Sequence, residues 1–130
     1  MKKMLIAAVT ALTLATTSAL AAPQTYAMDE TGQEYSALLT ESSWMAVEVP
    51  LSALGGTLPS NLNIAVSGLP AGTTVTLDSV DTYAQTALLY VTVARSDTSS
   101  NVNAVADIAV KSGSTVLTTV SIPVYGAAYN

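Results

Sequence analysis

Apolar and polar residues alternate along most of this chain, and the alternation has period two. Met45, Val47, Val49 and Leu51 are separated by Ala46, Glu48 and Pro50. Leu62, Ile64 and Val66 interleave with Asn63, Ala65 and Ser67, and Val75 and Leu77 with Thr74, Thr76 and Asp78. Leu89, Val91 and Val93 then alternate with Tyr90, Thr92 and Ala94. Val102, Ala104, Ala106, Ile108 and Val110 face one way, and Asn103, Asp107 and Lys111 the other. Val116, Val120, Ile122 and Val124 form the last such stretch. A helix would space its apolar residues three and four apart, so these stretches read as half-buried strands. Ile64, Val91, Ile108 and Val120 are expected to share one core, with Asn63, Thr92 and Thr119 on the opposite face.

The punctuation between the stretches agrees with strands. Gly55-Gly56, Pro59-Ser60, Gly68 to Gly72, Ser96 to Asn101 and Ser112-Gly113-Ser114 carry the residues that favour turns and loops. Ser112 to Ser114 is short enough for a tight hairpin joining the last two strands. Pro123 has no N–H to donate to a ladder, so the last strand should lie at a sheet edge or bulge there.

One segment adds a resemblance. Ile64-Ala-Val-Ser-Gly-Leu-Pro-Ala-Gly-Thr-Thr-Val-Thr-Leu77, with Ser67–Gly72 at its centre, resembles a strand–turn–strand unit common in bacterial secreted Ig-like domains. The resemblance spans roughly Leu62 to Tyr125 and implies an all-β, Ig-like β-sandwich of about seven strands. It implies no catalytic residues, because such domains serve as spacers, adhesins and fibre subunits. The chain departs from antibody-type domains in lacking the cysteine pair and in placing Trp44 ahead of the first core strand.

The N-terminus changes the compartment. Lys2 and Lys3 precede an uncharged apolar stretch from Leu5 to Leu20, and Ala19-Leu20-Ala21 fits a cleavage site. Residues 1–21 are therefore expected to be a signal peptide, with the mature chain starting at Ala22. The stretch is short for a membrane span and diluted by Thr10, Thr13, Thr16, Thr17 and Ser18. Export to the cell surface, the medium or the periplasm follows, with no membrane span after cleavage. Residues 22–42 form an acidic extension, 43–125 the sandwich and 126–130 a short tail.

Charge and composition narrow the partners. Beyond residue 21 only Arg95 and Lys111 oppose nine acids, a formal charge of −7. Phosphate binding needs clustered Lys and Arg, so nucleic acid is not an expected partner. There is no cysteine, which removes disulfide staples and leaves stability to the core or to association. With no histidine either, Ser-His and Cys-His nucleophile pairs are impossible. Lys111 reads as a solvated charge rather than a base.

Three further constellations carry residue types suited to chemistry or ligand binding. Asp78 and Asp81 could in principle form a glycosidase pair, but turn chemistry explains them better. Asp97-Thr-Ser-Ser-Asn101 and Asp78-Ser-Val-Asp81 are oxygen-rich loops without the Gly of an EF-hand, so no calcium site is assigned. Trp44 and the tyrosines at 26, 35, 83, 90, 125 and 129 could offer sugar-stacking faces, with Tyr90 expected on the outer face. Half-buried packing accounts for them without a ligand. No catalytic, metal or cofactor residue is assigned, and no cofactor is expected.

Two classes stay open. The first is a structural or assembly protein that self-associates or contacts surface and matrix components, as a filament subunit or adhesion module. The second is a small module binding carbohydrate or another exported ligand. For the first, Gln33 to Thr40 is a candidate donor strand whose Tyr35, Ala37 and Leu39 could fill a groove on a neighbour. Strand addition of that kind takes affinity from the main chain and specificity from alternate side chains.

Overall fold

Alternation of this kind folds into two stacked sheets with their apolar faces together. The computed structural model describes residues 24–129; the expected signal peptide and cleavage site lie outside the described residues. The strands are β1 (Ala27–Met28), β2 (Glu34–Tyr35), β3 (Leu38–Leu39), β4 (Ser42–Pro50), β5 (Leu62–Ser67), β6 (Thr73–Tyr83), β7 (Thr86–Arg95), β8 (Val102–Ser112) and β9 (Thr115–Gly126). The first sheet runs β2-β1-β4-β7-β6 and the second β3-β9-β8-β5. All neighbours are antiparallel except β3, which runs parallel to β9. Among the described residues the protein is an all-β sandwich with nine strands rather than seven, three of them, β1 to β3, coming from the acidic extension.

The core forms where the central strands face each other. Met45, Val47 and Val49 of β4 and Ala87, Leu89, Val91 and Val93 of β7 cover Ala106, Ile108 and Val110 of β8 and Ile122 and Val124 of β9. None of these is more than 1% exposed, and each aliphatic side chain withdrawn from water this completely is worth about 1.5–3 kcal/mol. Of the four expected core residues, Val91 and Ile108 are fully buried. Ile64 and Val120 pack against the core only half-buried. Ile64 lies on β5, an edge strand, and lines a 260 Å³ groove with Val66, Leu69 and Val75 where the sandwich gapes open. Asn63 is not a bland surface residue, because its amide donates to the carbonyls of Asn61 and Gly113 and braces the β8–β9 turn.

Irregularities explain the other departures. A bulge between Val110 and Lys111 of β8 makes Thr118 and Val116 successive partners, and Val116 is 53% exposed while Leu117 packs on the core. Leu51 leaves the ladder after Pro50 and opens a 3-10 turn, Leu51–Leu54, that buries Leu54. Trp44 belongs to β4 rather than preceding it, beside a bulge between Ser42 and Met45. Asp78 and Asp81 sit within β6, not in a loop. Asp78 is the bulged residue between Leu77 and Ser79 and accepts a 2.6 Å hydrogen bond from the Thr92 hydroxyl.

The Ser67–Gly72 turn carries the chain from the second sheet to the first. Gly68 has φ of +90°, and a Cβ there would collide with the Val105 carbonyl oxygen, so only glycine fits. β3 covers β9 only at Val124 and Tyr125, which leaves Thr115 to Pro123 as an open sheet edge and gives Pro123 the place its missing N–H requires. The β6–β7 hairpin turns on Ala84 and Gln85, and Ala84 is the one described non-glycine residue with positive φ, at 55°. Positive φ at the first turn position alone marks a II′ turn, whose favoured residue there is glycine. Ala84→Gly is therefore expected to stabilise the fold by about 0.5–1 kcal/mol, the relieved strain exceeding the added chain entropy. A denaturant midpoint that fell instead would contradict this.

Candidate functional site

The residues from Gln24 to Glu41 form a strap across one side of the sandwich. β1 pairs with β4 at Ala27–Val47 and Met28–Ala46, and the Glu48 N–H donates to the Tyr26 carbonyl. The chain then reverses into β2 and crosses to the second sheet, where β3 pairs with β9. Each of these strands is only two residues long.

The reversal is built by Asp29. Its Oδ1 accepts from the N–H and hydroxyl of Thr31 and the N–H of Gln33, and its Oδ2 accepts from the Tyr35 hydroxyl at 2.9 Å. The Thr31 hydroxyl foremost, with the Tyr35 hydroxyl and the two N–H donors, holds the Asp29 carboxyl below its ordinary range against partial desolvation. The same bond to Asp29 pushes the Tyr35 phenol upward. Among the described residues the turn takes no hydrogen bond from the body, so the hairpin is largely self-contained. Tyr35 meets Trp44 edge to face, with centroids 5.8 Å apart.

The strap's anchors are Ala27, Ala37 and Leu38, exposed by 0%, 7% and 0%. The candidate donor residues do not share one face. Tyr35 lies in the first sheet, Ala37 is buried at the crossing, and Leu39 is 36% exposed on the outside of the second sheet. Leu38 enters the core instead, because Gln33–Thr40 forms two short strands on two sheets rather than one long one. After β3, the Thr40 N–H donates to the Tyr125 carbonyl at 2.9 Å. Gly126 lets Thr40 approach, since a Cβ at that position would strike the Thr40 hydroxyl. The hydroxyls of Thr40 and Ser42 are both buried here without a hydrogen-bond partner, so the joint between strap and body is imperfectly satisfied.

Two groups that the sequence reading passed over hold the ends of the strap. Arg95 closes the C-terminal end. Its side chain is 2% exposed, and Nε donates to Glu41 Oε2 at 3.0 Å. Its terminal nitrogens donate to the carbonyls of Ser100 and Ala127, and its guanidinium lies 5.5 Å from the Tyr129 ring centroid. Partial burial pushes the Glu41 carboxyl up, but the Arg95 hydrogen bond and charge, with Glu41's own N–H and the Tyr129 hydroxyl, hold it below its ordinary range. At the other end, Glu48 of β4 meets Glu34 of β2 across β1. Glu48 Oε2 is buried with no hydrogen-bond partner. Desolvation first, then the hydrogen bond and negative charge of Glu34, push the Glu48 carboxyl up to about 7.

The remaining sequence candidates are dispersed. Asp97 Oδ1 accepts from the N–H and hydroxyl of Ser99, a local turn contact. Asn101 Oδ1 accepts from the Ala128 N–H at 2.6 Å. Lys111 is half-buried near the end of β8. Among the described residues no three His, Cys, Asp or Glu side chains gather as a metal site, and no helix is long and apolar enough to cross a membrane. Tyr125, 44% exposed, stands opposite Asn103 and beside Leu39 and Asn101 over a shallow depression without charged lining. Tyr83 and Tyr129 are exposed singly, and Tyr90 is half-buried.

Comparison with protein-family models, curated proteins and solved structures returned no match.

Proposed function

We propose that this chain is an exported structural or assembly protein with an Ig-like fold that self-associates by exchanging its N-terminal strap with a neighbour. The fold assignment is supported by strand order. β1-β4-β7-β6 against β9-β8-β5 has the connectivity of a seven-strand ABED/CFG sandwich. In that reading β3 is the part of the first strand that switches sheets.

One observation carries the assembly reading. The strap buries Ala27, Ala37 and Leu38 completely or nearly so, yet only two ladders of two residues each, β1 on β4 and β3 on β9, join it to the body. Lifting it off would uncover a slot for Leu38 and unpaired edges on β4 and β9, and such edges recruit strands. An identical strap from a second copy would restore every contact, which makes exchange a low-cost route to association. The signal-peptide pattern and the lack of reactive side chains suit a filament or adhesion subunit outside the cytoplasm.

The absence of cysteine makes a clean test possible. Leu39 and Tyr125 are opposed across the β3–β9 ladder and both are exposed. Chains carrying Leu39→Cys are mixed with chains carrying Tyr125→Cys under mild oxidation. Exchange gives mixed disulfides joining one chain of each kind; failure to form them at high concentration, while the double variant closes within one chain, overturns it. A second reading, a carbohydrate-binding module, is favoured by the uncharged Tyr125–Asn103 depression. A chain that never exchanges leaves that reading in front.

A further inference from the structure

We propose that Glu34 and Glu48 form a proton-operated latch on the strap, holding the β1–β2 hairpin down while a proton sits between them and releasing it to a second copy of the chain when that proton is lost. The inference rests on the strand-exchange reading and adds its control.

The geometry supplies the latch. Glu48 belongs to the body and Glu34 to the outermost strap strand. Glu34 is opposite Met28 and Met28 opposite Ala46, so Glu34 lies on the same face as Glu48, two residues offset, and approaches it diagonally over β1. With both ionised, the buried Glu48 Oε2 has no donor and faces a second anion. With one proton present, Glu48 becomes a donor to Glu34, and a bond then ties the strap to the body. Among the described residues no cation is placed to relieve the pair. The titratable groups nearest on the same outer face are Tyr26 before β1, Tyr90 on β7, and Asp81 of β6, which is opposite Leu88 as Leu88 is opposite Glu48. Asp29 and Glu30 lie at the hairpin turn. Arg95 stands at the far end of β7, and Lys111 is on the other sheet.

The sign follows from linkage. The docked strap keeps the Glu48 proton up to about pH 7, whereas a released, hydrated carboxyl would lose it near its ordinary value. Docking is thus fully favoured below that ordinary value, weakens as pH rises towards 7, and loses this contribution above it. The proton leaves to solvent, and the ionised pair repels.

The experiment follows assembly of the full mature chain by sedimentation at pH 5.5 and pH 8, with emission of Trp44, the sole tryptophan, as a local probe of Tyr35 docking. Wild-type chains are expected to assemble about tenfold faster at pH 8, a modest share of what the shift allows. Trp44 emission should titrate with a midpoint near 7. Glu48→Gln, which donates at every pH, should assemble slowly at both values with flat emission. Glu34→Gln should keep a titration but lower its midpoint, since burial of Glu48 persists without the second anion. A Glu48→Gln profile identical to wild type would overturn the latch. Oligomers forming equally at both pH values with flat wild-type emission would also overturn it and leave exchange standing. A Trp44 titration abolished by Glu48→Gln, with no oligomer at any pH, would show a working latch on a strap that does not exchange.

Discussion

Ile108→Ala is expected to lower stability by about 3–4 kcal/mol, and Ile64→Ala by roughly half as much. Ile108 is 1% exposed on β8, flanked by Val66 of β5 and Val120 of β9 and facing the β4–β7 layer. Removing three carbons there costs their transfer free energy and leaves a cavity that rigid strands cannot close. Ile64 sits on an edge strand beside an open groove. Its side chain already meets water, and its neighbours can relax into the space. Val91→Ala should fall between the two, near 2 kcal/mol, because it is as buried as Ile108 but smaller. Urea titrations of the variants read these differences directly. Equal losses at positions 64 and 108 would mean that the groove closes in solution.

Arg95→Ala should be the most damaging change outside the core, at about 2–3 kcal/mol. The covered guanidinium satisfies two backbone carbonyls on separate segments, Ser100 and Ala127, and hydrogen bonds from a charged donor are each worth more than neutral ones. The Glu41 half of the ion pair is 35% exposed and adds little by itself. Arg95→Lys should recover little, since one ammonium cannot reach three acceptors arranged around a planar fork. Hydrogen exchange should show residues 127–129 opening first, including the Tyr129 N–H that donates to the Thr98 carbonyl. If Arg95→Lys matched wild type, the site would need only a positive charge there.

Much of the sandwich was legible because burial on one face forces alternation, and β4, β7, β8 and β9 carry it strongly. The turns at Gly68–Gly72 and Gly113 were legible for the same kind of reason, as positive φ selects glycine. Ala84-Gln85 was hidden because neither residue signals a turn, so β6 seemed to end near Leu77 and Asp78–Asp81 passed for a loop. A bulge that displaces one residue, as at Asp78 and near Leu117, leaves no local mark either, because its cause lies in the partner strand. Legibility was poorest in the strap. Strands of two residues cannot show a period, and nothing in Glu34 or Glu48 announces that they meet. Arg95 had one possible signal, a lone arginine at the end of an apolar strand with acids and a tyrosine-bearing tail elsewhere, but the segments it joins are far apart in sequence.

The parallel pairing of Leu38 with Val124 has a consequence for how the chain reaches its folded state. This ladder joins strands near the two ends of the described residues, so it is among the most non-local contacts in the domain and should close late. During synthesis the strap appears first, yet its seat on β9 exists only once the C-terminal strand has been delivered. Each new molecule therefore passes through an interval with a finished seat-binding segment and no seat of its own. Under the strand exchange proposed above, crowding of nascent chains would decide in that interval between self-closure and capture, and kinetics would fix the partition before equilibrium is reached.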